Sequence, residues 1–62
     1  MELVRKVNGF SFYLIVKEDG YQVLEVSEFH VKILKKGRIF LAKEFALNFL
    51  EKYIKQKTYL ND

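Results

Sequence analysis

The last third of the chain carries a helix-period apolar stripe, and everything before it reads as strands. Phe45, Ala46, Phe49, Leu50, Tyr53 and Ile54 recur at spacings of three and four, which puts all six on one side of a helix in a stripe about 100° wide or more. Upstream the period is two: Phe10, Phe12, Leu14 and Val16 alternate with Ser11, Tyr13, Ile15 and Lys17, the pattern of a strand with one buried face. Strands followed by a single terminal helix predict an α+β domain: a curved four-stranded antiparallel sheet followed by one C-terminal helix, in the order β-β-β-β-α. The helix covers one face of that sheet. The other face has no element of this chain to cover it.

At 62 residues the chain makes one domain, spanning 1–62. So short a chain buries only about 60% of its unfolded surface, and without cysteine it has neither a disulfide framework nor a thiolate metal site. Yet it carries four tyrosines and six phenylalanines, more ring than one helix-on-sheet core needs. The surplus predicts burial against a second copy, a homodimer. No run reaches the roughly 18 apolar residues that span a membrane. The N-terminus, Met1-Glu2-Leu3-Val4-Arg5-Lys6, lacks the apolar run and cleavage site of a signal peptide. A cytoplasmic protein with no membrane partner is expected. The formal charge of +3, from 11 basic and 8 acidic side chains, leans mildly toward a polyanionic partner.

Leu3 to Val7 reads as a short first strand, ended by Asn8-Gly9, a dipeptide that tolerates positive φ and makes tight turns. Phe10 to Lys17 is the second strand. After it, a two-residue loop of Asp19-Gly20 would set Leu14 opposite Glu25 and bury a carboxylate among Phe10, Phe12 and Val16. A three-residue loop, Glu18-Asp19-Gly20, pairs Val16 with Gln22, Leu14 with Leu24 and Phe12 with Val26. It leaves one nearly pure apolar face, so it is the expected register. The mixed, outward face then carries Ser11, Tyr13, Ile15 and Lys17 with Tyr21, Val23, Glu25 and Ser27. Val31 and Ile33 look inward on odd positions where Leu24 and Val26 do so on even ones, so a bulge is expected near Glu28-Phe29-His30. Lys35-Lys36-Gly37 makes the last hairpin loop. Arg38 to Ala42 is the final strand, with Ile39 and Leu41 inward and Arg38 and Phe40 outward. The helix runs from near Lys43 to about Lys57, with Glu44 early and Lys55 and Lys57 late to suit the macrodipole. Thr58 to Asp62 is expected to fray.

Catalysis has few reagents here. The chain holds one histidine, His30, no cysteine, and serines only at Ser11 and Ser27, whereas a nucleophile needs a base and an orienting group beside it. His30 reads as a structural or surface histidine, and a metal site built on it with Glu28 or Glu25 is incomplete. Neither GxGxxG nor GxxxxGK[ST] occurs. No enzyme, cofactor or metal is expected. On the outward face Tyr13, Tyr21 and Phe40 sit among Lys17, Gln22, Lys32 and Arg38. Bases stack on such rings at about 1–3 kcal/mol each while lysine and arginine neutralise phosphates. The same rings suit a protein interface equally well, and Glu25 on this face opposes a polyanion. The densest basic patch is Lys32, Lys35, Lys36 and Arg38, with no acidic residue between Glu28 and Glu44. Its plain reading is a solvated hairpin tip, charged to discourage edge pairing.

The segment Lys6-Val7-Asn8-Gly9-Phe10-Ser11-Phe12-Tyr13-Leu14-Ile15-Val16-Lys17-Glu18, followed by Val23-Leu24-Glu25-Val26-Ser27-Glu28, resembles a PUR repeat. Such repeats carry an aromatic "FYL.VK" strand, a turn, an "L.I.E" strand, a basic "R.L.L" strand and a helix with a buried phenylalanine. Arg38-Ile39-Phe40-Leu41-Ala42 and Phe45 to Leu50 are similar to the last two. The element order also looks like that of the positive-cofactor-four and Whirly group of single-strand binders. The resemblance implies an intertwined homodimer binding single-stranded DNA or RNA, with Asn8, Lys17 and Arg38 at matching positions. Tyr21 and Gln22 stand where the family has basic turn residues. The expected site is therefore Tyr13, Tyr21 and Phe40 for bases, with Asn8, Lys17, Gln22, Lys32, Lys35, Lys36 and Arg38 around them. A protein-interaction or regulatory (inhibitor) module using the same face, or a duplex-DNA architectural protein, are the alternatives.

Overall fold

A computed structural model of the chain describes residues 1–35, 38–57, 59 and 60. Four strands, β1 (Glu2–Val7), β2 (Phe10–Lys17), β3 (Gly20–Val26) and β4 (Val31–Leu34), form one open antiparallel sheet in the order β1-β2-β3-β4, and the helix α1 (Lys43–Gln56) follows. The expected element order holds. So does the tight turn at Asn8 and Gly9, with φ of 47° and 83°. Among the described residues no helix is long and apolar enough to cross a membrane.

The β2–β3 register is one residue away from the expected one. Lys17 pairs with Gly20, Val16 with Tyr21, Leu14 with Val23, Tyr13 with Leu24 and Phe12 with Glu25. The loop is thus two residues, Glu18 and Asp19, and Gly20 opens the strand. Gly20 serves a close approach instead: a Cβ there would stand 2.3 Å from the Phe40 carbonyl oxygen and 2.4 Å from Ile39 Cγ2. Because side chains alternate, the slip exchanges the faces of β3. Tyr21, Val23 and Glu25 turn toward the helix, and Leu24 and Val26 toward the open face.

Further corrections concern the other strands. Val23 pairs with Leu34, Leu24 with Ile33, Glu25 with Lys32 and Val26 with Val31, so β3 and β4 run in register with no parity change. The bulge lies in β1, between Leu3 and Arg5, rather than near residues 28–30. Val31 and Ile33, expected inward, are 70% and 39% exposed on the open face. In place of a strand at 38–42 there is one bridge, in which Tyr21 N–H donates to Phe40 O and Phe40 N–H to Tyr21 O, both at 2.8 Å. Phe40 faces the helix and not the outward side, and Leu41, expected inward, is exposed. Of the expected Lys35-Lys36-Gly37 loop, Lys36 and Gly37 lie outside the described residues.

The core joins Phe12, Leu14, Val23 and Leu34 of the sheet to Ala46, Leu50 and Ile54 of α1, which packs chiefly on β3. Only these three of the six stripe residues are buried; Phe49 and Tyr53 are half-buried and Phe45 is exposed. The expected fraying at 58–62 is corrected for Tyr59 and Leu60, the described residues of that stretch. Leu60 is buried in the core, and its carbonyl accepts a hydrogen bond of 2.5 Å from Asn8 Nδ2. Burying one leucine contributes about 1.5–3 kcal/mol, enough to hold the tail down.

Candidate functional site

The register slip places a carboxylate in the core, and the fold meets it with donors. Glu25 is 1% exposed. The Nε2–H tautomer of His30 donates to its Oε2 at 2.9 Å, and the Tyr53 hydroxyl donates to Oε1 at 3.1 Å. The Tyr59 hydroxyl lies 2.9 Å from that of Tyr53, completing a chain from Tyr59 through Tyr53 to the carboxylate. Burial, the Tyr59 hydrogen bond and the Glu25 charge push the pKa of the Tyr53 phenol up. Ser27 Oγ caps the turn by accepting from the Phe29 and His30 amides at 3.1 and 3.2 Å. His30 is thereby held in place against Glu25. Among the described residues every buried side-chain nitrogen and oxygen has a partner, the Glu25 carboxylate included.

The expected binding residues divide between two surfaces. Tyr13, Lys17 and Gln22 belong to the open face, where the cross-strand row Leu3–Tyr13–Leu24–Ile33 lies beside Lys6–Ser11–Val26–Val31. That face is aliphatic with one ring, not the expected aromatic platform. Tyr21 and Phe40 pack against the core from the helix side. Asn8 holds Leu60, Arg38 is exposed beyond the Lys35 turn, and Lys36 lies outside the described residues.

What assembles on the helix side is an aromatic ridge facing β4. At 100° per residue α1 turns Phe45, Phe49 and Tyr53 to one flank, and Lys43 and Glu51 to the other. The second flank is tied to β1 through Lys43–Glu2 at 3.4 Å and Glu51–Arg5 at 3.0 Å. On the first, the Phe40 and Phe49 ring centroids are 5.2 Å apart, and Phe49 and Tyr53 are 5.8 Å apart. Lys35 Nζ lies 5.7 Å over Phe49, and Lys57 Nζ lies 5.1 Å over Tyr53. Lys32, the cross-strand neighbour of Glu25, projects to this side as well. Of the described acidic residues, Glu25 is buried and Glu2 and Glu51 pair near β1, whereas Glu44 is exposed in the first turn of α1 beside Phe45, Glu28 is exposed in the turn before β4, and Glu18 and Asp19 occupy the turn ahead of Gly20, which packs on Phe40.

Sequence reading assigned Phe45, Phe49 and Tyr53 to the core. The available signal was the stripe's width, since rings at its margin exceed what one strand beneath the helix can cover. Nothing in the spacing announced the partnership of Glu25 with Tyr53, which are 28 residues apart. Comparison of the chain with protein-family models, with curated proteins and with solved structures finds no match.

Proposed function

We propose that the chain binds single-stranded nucleic acid along the flank between α1 and β4, rather than on the open sheet face. The observation that carries this reading is the ridge Phe40–Phe49–Tyr53, with lysines lying over two of its rings. A lysine over an exposed ring contributes about 0.5–1 kcal/mol, whereas a stacked base contributes about 1–3 kcal/mol. An arriving strand therefore gains by displacing Lys35 from Phe49, and the displaced ammonium then neutralises a phosphate. Phe45, 53% exposed one turn before Phe49, extends the platform. The PUR-like motifs support the same ligand class.

The test is fluorescence anisotropy with labelled purine-rich and pyrimidine-rich single strands and a duplex control, at low and moderate salt. Single-strand affinity should fall with salt, and Lys35→Ala should reduce the log–log slope by about 0.7. Phe45→Ala should weaken binding roughly tenfold, the equivalent of one stacked base, with an unchanged circular dichroism spectrum. Lys17→Ala, on the open face, should bind as wild type. Absence of binding at low salt, a preference for duplex, or loss with Lys17→Ala and not with Phe45→Ala would overturn the proposal.

A further inference from the structure

The open sheet face is the second unassigned surface, and we infer that it pairs with the same face of a second copy of this chain. The row Leu3–Tyr13–Leu24–Ile33 crosses all four strands, with Val26 and Val31 beside it. Leu3, Val31 and Ile33 are 48%, 70% and 39% exposed, an apolar belt of the kind that marks contact surfaces. The edges of the sheet are poor alternatives. β1 is interrupted by its bulge and carries Arg5 and Lys6, and β4 is four residues long with Lys32 in it, features that blunt edge-to-edge pairing.

Charge placement selects the occupant. The described part of this face has lysines, Lys6 and Lys17, and no carboxylate. Lys6 lies in the row of Ser11 and Val26, toward the end of the sheet where Asn8 and Gly9 turn, whereas Glu18 and Asp19 form the turn at the opposite end. Stacking two copies about a two-fold axis that runs across the strands reverses strand direction. The Glu18–Asp19 turn of one copy then approaches the Lys6 end of the other, twice over. A second copy thus brings both the apolar belt and the carboxylates that Lys6 lacks on its own face.

The size of the face sets the strength. Four strands about 4.8 Å apart, with face-sharing rows about 6.6 Å apart, give a footprint of roughly 400 Å² per copy. The pair covers roughly 800 Å², below the ~1,200 Å² of stable specific complexes. So small an interface makes a weak, reversible dimer in which each copy keeps its own core.

Sedimentation equilibrium across micromolar to millimolar protein tests the inference independently of any nucleic acid. The mass should rise from 7.4 kDa toward twice that value. Ile33→Glu should hold the protein at the monomer mass throughout, with an unchanged circular dichroism spectrum, while Phe45→Ala should self-associate as wild type. Lys6→Glu should weaken association several-fold, and adding Asp19→Lys should restore it. A wild-type protein that stays monomeric, or an Ile33→Glu variant that dimerises normally, overturns the inference. A Lys6→Glu, Asp19→Lys variant no better than Lys6→Glu overturns the end-to-end orientation.

Discussion

Removing His30 should cost this protein far more than removing the carboxylate that His30 serves. His30→Ala takes away the donor at 2.9 Å from Glu25 Oε2 and leaves the carboxylate, 1% exposed, with donors only on its other oxygen. A hydrogen bond to a charged group contributes about 1.5–3 kcal/mol. The ring contact between His30 and Phe10, with centroids 5.8 Å apart, adds about 0.5 kcal/mol. The sum, about 2–3.5 kcal/mol, lowers Tm by roughly 8–28 °C in a domain of this size. Glu25→Leu removes donor demand and acceptor together. The Tyr53 and Tyr59 hydroxyls still bond each other at 2.9 Å, and the His30 side chain, 42% exposed, reaches water. Replacing a buried ionic group by a hydrophobe is often neutral or stabilising, so the change should stay within about 1 kcal/mol of wild type. In the Glu25→Leu background His30→Ala should then cost under about 1 kcal/mol, giving a coupling energy of about 1.5–2 kcal/mol. Thermal and urea unfolding of the four proteins measures the cycle. If His30→Ala costs the same in both backgrounds, the contact contributes nothing and the reasoning fails.

Two further expectations concern the fold. Gly20→Ala should destabilise by about 1–3 kcal/mol or more by overpacking, because its Cβ would meet the Phe40 carbonyl oxygen at 2.3 Å; a Cm in urea equal to wild type would show that residues 39 and 40 yield freely. Tyr53 is held protonated by burial, by Tyr59 and by Glu25. Its raised folded pKa favours the native state below the ordinary phenol value of about 10, and that stability is lost as pH rises beyond it. Wild type should therefore lose stability relative to Tyr53→Phe between pH 10 and pH 12 by urea titration, and parallel curves would refute the assignment.

The element order was legible because it depends on periodicity alone. Phe10 to Val16 alternate, the stripe from Phe45 to Ile54 turns every 3.6 residues, and Asn8-Gly9 is a turn in any context. The register was not legible, because choosing it by the purity of the apolar face assumes that a carboxylate stays outside the core. Glu25 breaks that assumption with partners from the turn before β4, from α1 and from the tail. Those contacts form only once distant segments meet. The basic and aromatic residue types were legible as a set, but their distribution was not. Tyr21 and Phe40 share the helix side through one bridge, whereas Tyr13 remains alone on the open face.

One buried carboxylate thereby determines which surface can do what. In the register expected from the sequence Leu24 and Val26 would fill the core and Glu25 would sit outside with Tyr21. The outward face would then hold rings, cations and an acid together. In the register adopted, Leu24 and Val26 are released to an aliphatic belt and the acid is withdrawn from solvent. Tyr21 props Phe40 against Phe49 at the helix flank. The two registers differ by a single residue, and the purity of the apolar face favours the one that the structure does not adopt. What discriminates is directional: three donors converge on Glu25 in one register, and in the other those hydroxyls and the imidazole lose their common acceptor. Polar groups buried in a core can fix register in helical assemblies, and the Glu25 contacts are available only in the register adopted here. The separation of an aliphatic face from an aromatic, cationic flank follows from that choice. It gives one small domain two surfaces of different chemistry.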